Sequence, residues 1–195
     1  KPADVDRLVE AATDPRYRAA ILLAADAGLR IGEIRALTWG HVNEVGRELT
    51  VAQALDRSGE LSDTKGRRRR TVPISDRLWT ALRPLDRSTG YVICRQGGGA
   101  LGYDATREAV RAIYGAAGVE IPAKPWHSLR HGFCTALANA GVPIHVIREL
   151  AGHESIETPL RYMHTGRAAK RDAIAALRGS HVAAESGDSS QLREK

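Results

Sequence analysis

Five separated stretches of the chain carry side chains of one chemical kind. They are Arg30 in Gly28-Leu29-Arg30-Ile31-Gly32-Glu33, Lys65 in Asp63-Thr64-Lys65-Gly66, and His127 with Arg130 in His127-Ser128-Leu129-Arg130-His131. The last two are Ala151-Gly152-His153 and Thr158-Pro159-Leu160-Arg161-Tyr162. Together they offer two guanidinium groups for phosphate oxygens, a lysine and histidines for proton transfer, and a phenol that can act as a nucleophile. A phenol is a poor nucleophile at neutral pH, because its ordinary pKa is about 10, so guanidinium groups and a histidine base are needed beside it.

Each residue alone has a plainer reading. Arg30 fits a surface arginine after a helix-ending glycine, and Glu33 fits a first-turn acid that favours the helix dipole. As a partner, Glu33 would orient Arg30 or a histidine. Lys65 fits a solvated basic turn, and the following Arg67, Arg68, Arg69 and Arg70 fit a clamp on backbone phosphates, which supplies affinity without sequence reading. Arg95, Arg107, Arg111 and Lys124 are further candidates for phosphate contact. His127 and Arg130, three apart, share a helix face. His127 and His131, four apart, also resemble half of a metal site, but the zincin glutamate is missing and no nearby acid completes three ligands. Tyr162 sits between Arg161 and Met163, with His164 beyond. Leu160 and Met163 can take the apolar face and leave Tyr162 partly exposed.

Positioning these groups requires a specific set of elements. Apolar spacing predicts helices over 3–12, 17–27 and 31–37, with Pro15 in the first turn of the second and Gly28 ending it. Leu49–Ala52 and Thr71–Ile74 read as strands of a small antiparallel sheet of two or three strands. Further helices are expected over 76–87, 104–117, 127–140, 143–151, 155–163 and 167–178. Tyr91–Cys94 reads as a short buried strand or an extended link, and residues 96–99 as a flexible glycine loop. The fold class is α+β and mainly α-helical.

Composition sets limits. At 195 residues, 43% of them hydrophobic, the chain reads as one domain, or one domain with small appendages. A formal charge of +6 and a pI near 9.7 suit a polyanionic partner. Cys94 and Cys134 stand in unlike contexts, which predicts buried reduced thiols and no disulfide framework. No apolar run approaches the roughly 20 residues of a membrane span. The opening Lys1-Pro2-Ala3-Asp4 reads as a cut in a linker, with an upstream domain expected before it.

In order and spacing these motifs resemble the tyrosine recombinases, or phage integrase family, over residues 1–178, the expected catalytic domain. Ala151 stands where the family's Leu-Gly-His motif has leucine, a mild departure. The resemblance implies a site-specific recombinase that cuts and rejoins DNA strands. Tyr162 would attack the scissile phosphate and form a 3′-phosphotyrosyl link. Arg30 and Arg130 would hold the non-bridging oxygens, Lys65 would protonate the leaving 5′-oxygen, His127 would act as base, and His153 would bond the phosphate. Glu33 would stand behind them. No metal or other cofactor is implied. The implied partners are double-stranded DNA and other protomers in a synaptic tetramer, in a cytoplasmic, nucleoid-associated setting. Residues 179–195 would be a mobile tail or a segment docking on a neighbouring protomer. The family's N-terminal clamp domain has no counterpart in these residues. Two rival readings are a DNA-binding regulator, with residues 143–163 as its helix-turn-helix, and an inactive relative. A type IB topoisomerase shares the chemistry, but the short interval from His-x-x-Arg to Tyr162 and the His153 motif suit a recombinase better.

Overall fold

The computed structural model describes residues 2–62 and 69–152. Lys65, Arg67, Arg68, His153 and Tyr162 lie outside the described residues, as do the helices expected over 155–163 and 167–178 and the tail.

Seven α-helices occur among the described residues: α1 (Pro2–Ala11), α2 (Pro15–Ala25), α3 (Ile31–Ala36), α4 (Asp76–Leu82), α5 (Tyr103–Ala116), α6 (Pro125–Asn139) and α7 (Ile144–Ala151). Five short strands lie between α3 and α4: β1 (Val42–Asn43), β2 (Glu48–Val51), β3 (Ala54–Leu55), β4 (Leu61–Ser62) and β5 (Arg70–Pro73). β1, β2 and β5 form an antiparallel sheet in that order, with Leu49 opposite Val72 and Val51 opposite Arg70. β3 and β4 pair separately. The three-stranded sheet agrees with the two or three strands expected, while β1 and the separate β3–β4 pair are too short to show a period-2 pattern in the sequence. Tyr91 and Cys94 make only isolated bridges, to Thr38 and Ala100.

α2 is the centre of the core. Ala19 to Ala24 are all buried, and the helix packs on α1, α4 and α6. Its start follows from its sequence: Asp14 caps the Arg16 N–H at 2.8 Å, and Pro15 occupies the first turn. α4 ends at Leu82, five residues earlier than expected, because Pro84 cannot continue the ladder. α6 begins at Pro125, two residues earlier than expected, for the converse reason: proline suits a first helical position. Trp126, Leu129, Arg130, Phe133 and Cys134 form the buried stripe of α6. Phe133 and Cys134 meet Ile147 and Ala151 of α7 in a second apolar cluster. Both cysteines are free and buried. No helix among the described residues is long and apolar enough to cross a membrane.

Candidate functional site

The site is assembled where four elements converge: the start of α3, the start of β5, the middle of α6 and the end of α7. Arg30 is the N-cap residue of α3, in extended backbone. Glu33, one turn later, accepts the Arg30 backbone N–H at 2.9 Å and the Arg30 Nη1 donor at 2.9 Å. The first bond satisfies a helix-start amide that has no partner within the helix. The second holds the guanidinium over the helix start.

Glu33 is only 3% exposed, yet it is ionised. Burial alone would push its carboxyl up. The two hydrogen bonds from Arg70, at 3.1 and 2.7 Å, and the positive charges of Arg70 and Arg30 reverse that and bring it down to about 2. The Arg130 Nη1 lies 3.8 Å from the same carboxylate. Arg130 itself is pulled down to about 10, first by burial and then by the charge of Arg30. It stays protonated at neutral pH. Three guanidinium groups therefore surround one carboxylate, and the cluster keeps surplus positive charge.

The same three arginines share the end of α7. Arg70 Nε donates to the Leu150 carbonyl at 2.8 Å, Arg130 Nη2 donates to that of Ala151, and Arg30 Nη2 donates to that of Gly152 at 3.0 Å. Carbonyls in the last turn of a helix have no partner within it and carry the negative end of its dipole, so cations satisfy both demands. Arg130 also donates to the Gly28 carbonyl, tying α6 to the loop before α3. Two glycines make these approaches possible. Gly28 has φ +67, and a Cβ there would stand 2.5 Å from the Phe133 ring. Gly152 has φ +60, and its Cβ would meet Arg70 Nη1 at 2.8 Å.

The two arginines expected at a phosphate differ in access. The Arg30 side chain is 31% exposed, and two of its five N–H donors are engaged by described residues. Arg130 lies deeper, at 4%. His127 stands exposed at the start of α6, beside the buried stripe that holds Arg130. Its pKa is lowered, first by partial burial and then by the charges of Arg130, Lys124 and Arg30. The neutral imidazole that results is the form able to take a proton. Among the described residues no group of three His, Cys, Asp or Glu is placed to hold a metal ion.

The other expected phosphate contacts divide. Arg69 and Lys124 are exposed. Arg70 is not where a DNA-clamping side chain would be: its side chain is 8% exposed, and all three of its nitrogens donate to Glu33 or Leu150. Strand alternation explains this. Arg70 is two residues before buried Val72 and points to the same side. That alternation was the signal in the sequence, hidden by the run of four arginines. Arg35 is a second inward-facing arginine, which no local sequence signal marks. It is 2% exposed and donates to the carbonyls of Leu101 and Asp56 at 2.7 Å each, which pins the entry to α5 against the β3–β4 turn.

The chain belongs to the phage integrase family, whose model matches residues 1–168. Among curated proteins it is 28% identical to "Tyrosine recombinase XerC-like" of Caldanaerobacter subterraneus subsp. tengcongensis, over 89% of this chain and 52% of that protein. It is 30% identical to "Tyrosine recombinase XerC" of Xanthomonas axonopodis pv. citri, over 81% and 51%. The chain thus spans about half the length of the curated relatives it matches. Among solved structures, the catalytic domain of bacteriophage HP1 integrase aligns at 27% identity and a TM-score of 0.64, covering 90% of this chain and 92% of that one. The Tn1549 transposon integrase, solved with transposon right end DNA, shares the fold at a TM-score of 0.77 and 20% identity, over 91% and 65%.

Proposed function

We propose that the chain is the catalytic portion of a site-specific DNA recombinase that cuts and rejoins strands through a covalent tyrosine link. The observation that carries this reading is the cluster of Arg30, Arg70 and Arg130 around Glu33, which leaves surplus positive charge beside the partly exposed guanidinium of Arg30. A phosphodiester carries one negative charge, and its pentacoordinate transition state gains more. Preorganised donors act on that gain.

In this mechanism the Tyr162 hydroxyl attacks the scissile phosphorus, with His127 as the base that takes its proton. Arg30 and Arg130 hold the non-bridging oxygens, and His153 bonds one of them. The bond from phosphorus to the 5′-oxygen breaks, and Lys65 gives that oxygen a proton. The product is a 3′-phosphotyrosyl enzyme and a free 5′-hydroxyl. Attack by the 5′-hydroxyl of a second cut strand reverses the steps and releases Tyr162. The covalent bond conserves the energy of the phosphodiester between the two events. Exposed Arg69 and Lys124, together with Arg67 and Arg68, contact backbone phosphates of double-stranded DNA. Exchange between two duplexes needs four active sites, hence a tetramer of protomers, inside the cell and on the nucleoid. Residues 1–178 form the catalytic domain, and residues 179–195 dock on a neighbour.

Covalent trapping tests this reading. The complete protein is mixed with a library of nicked duplexes, and a protease-sensitive DNA–protein adduct is sought. An adduct is expected, and Tyr162→Phe is expected to abolish it while leaving DNA binding intact. An undiminished adduct in that variant removes Tyr162 from its role. Binding without any adduct from the wild-type protein favours a regulator or an inactive relative.

A further inference from the structure

The run Arg67–Arg70 invites one role for four residues, and the structure separates the last from it. Arg70 faces inward from β5 and, among the described residues, is the side chain that joins the Glu33 carboxylate to the Leu150 carbonyl. Its Nη1 and Nη2 take the Glu33 carboxylate at 3.1 and 2.7 Å, in the two-pronged geometry that only a guanidinium offers. Its Nε takes the Leu150 carbonyl at 2.8 Å. Glu33 is the anchor of Arg30, and the next two carbonyls after Leu150 are the anchors of Arg130 and Arg30.

We propose that Arg70 is a positioning residue for strand cleavage: it clamps Glu33 to the end of α7 and so sets where Arg30 and Arg130 meet the phosphate. The inference rests on the cleavage reading above. Two physical consequences of losing Arg70 support it. Glu33 would keep its charge but lose its strongest partner, and would draw Arg30 and Arg130, 2.9 and 3.8 Å away, toward itself and away from a ligand. The Leu150 carbonyl would lose its donor, and the last turn of α7 would loosen. That turn also holds the carbonyls that orient Arg30 and Arg130. Among the described residues, the charged groups facing Glu33 are Arg30 on its own helix, Arg70 from β5 and Arg130 from α6. From the described end of α7 the network takes the carbonyls of Leu150, Ala151 and the C-cap Gly152.

The test compares Arg70→Met, Arg70→Lys, Glu33→Gln and the double variant Glu33→Gln/Arg70→Met in the complete protein. Adduct formation is followed in a single turnover on the nicked duplex library. Arg70→Met should slow it by about 10²-fold, the scale expected when a catalytic geometry shifts by roughly 1 Å, with binding of the library unchanged. Arg70→Lys keeps the charge and guards against a folding defect. It should remain slow, because an ammonium cannot span Glu33 and Leu150 together. The double variant should be no slower than the slower single variant, as for two members of one network. Independently of activity, hydrogen exchange at the guanidinium groups of Arg30 and Arg130, read by nitrogen-15 arginine labelling without DNA, should quicken in both Arg70 variants. Wild-type rates in Arg70→Lys, multiplying defects in the double variant, or unchanged exchange would each overturn the proposal. Absence of an adduct from the wild-type protein would instead overturn the cleavage reading, and the exchange measurement would still decide the role of Arg70.

Discussion

Two knots of charge among the described residues are built to opposite rules. At the outer knot one cation meets two anions. Arg77 of α4 bonds Asp6 of α1 at 2.7 Å and Asp26 at the end of α2, with Nε at 2.5 Å from Asp26 and Nη2 on its other oxygen. The Arg77 side chain is 49% exposed, and the knot has no spare positive charge. At the inner knot three cations meet one anion, and Glu33 is 3% exposed. The outer knot fastens helices. The inner one fastens elements and keeps surplus positive charge. On the function proposed above, the ratio of cations to anions, together with burial, separates a fastener from a phosphate site.

The comparison is broken most severely at Arg130. Arg130→Ala removes a buried cation from the inner knot and should slow adduct formation by about 10²- to 10³-fold, the usual loss for one preorganised donor at an oxyanion. Single-turnover trapping with the nicked library checks this, beside a binding measurement that should change little. Arg130→Ala that cleaves at the wild-type rate would show that the surplus charge serves the fold alone.

How far this contrast was legible beforehand depends on distance along the chain. Arg30, Glu33, His127 and Arg130 carried local signals: a cap position, a helical turn and a paired spacing. α2 was legible because Asp14, Pro15 and Gly28 mark its ends. What was hidden was long-range. Nothing near Arg70 in the sequence says that it will meet Glu33, 37 residues away, or the Leu150 carbonyl, 80 residues away. Backbone acceptors such as Gly28, Ala151 and Gly152 leave no trace in side-chain chemistry at all. Strands of two residues, as in β1, β3 and β4, are fixed by their partners rather than by their own pattern.

Acid should loosen the inner knot. Glu33 has a carboxyl lowered from 4.5 to about 2, so the folded state binds its proton less readily than the unfolded chain does. Its contribution to stability is complete above the unfolded value and is lost as pH falls from about 4.5 toward about 2. The whole contribution is on the order of 3 kcal/mol at neutral pH. Urea unfolding of wild type and Glu33→Gln at several pH values isolates it, because the other acids titrate alike in both. The gap between the two proteins should shrink by about half between pH 5 and pH 3, following the shift of the carboxyl. A gap that stays constant over that range would mean that Glu33 is not held ionised by its arginines.

The smallest effect belongs to the outer knot. Arg77→Ala removes a half-exposed cation whose field is screened by water, so the loss should be about 0.5–1 kcal/mol and should shrink further in high salt. Asp26 is 8% exposed and keeps a hydrogen bond from Ser75 at 3.0 Å, so its carboxylate is not left without a donor. Adduct formation should be unaffected, since Arg77 spans α1, the end of α2 and α4 and touches none of the residues around Glu33. An Arg77→Ala protein that folds, binds DNA and yet cleaves as slowly as Arg130→Ala would mean that catalysis depends on the packing of the helices as a whole. The surplus of cations at Glu33 would then no longer mark the site.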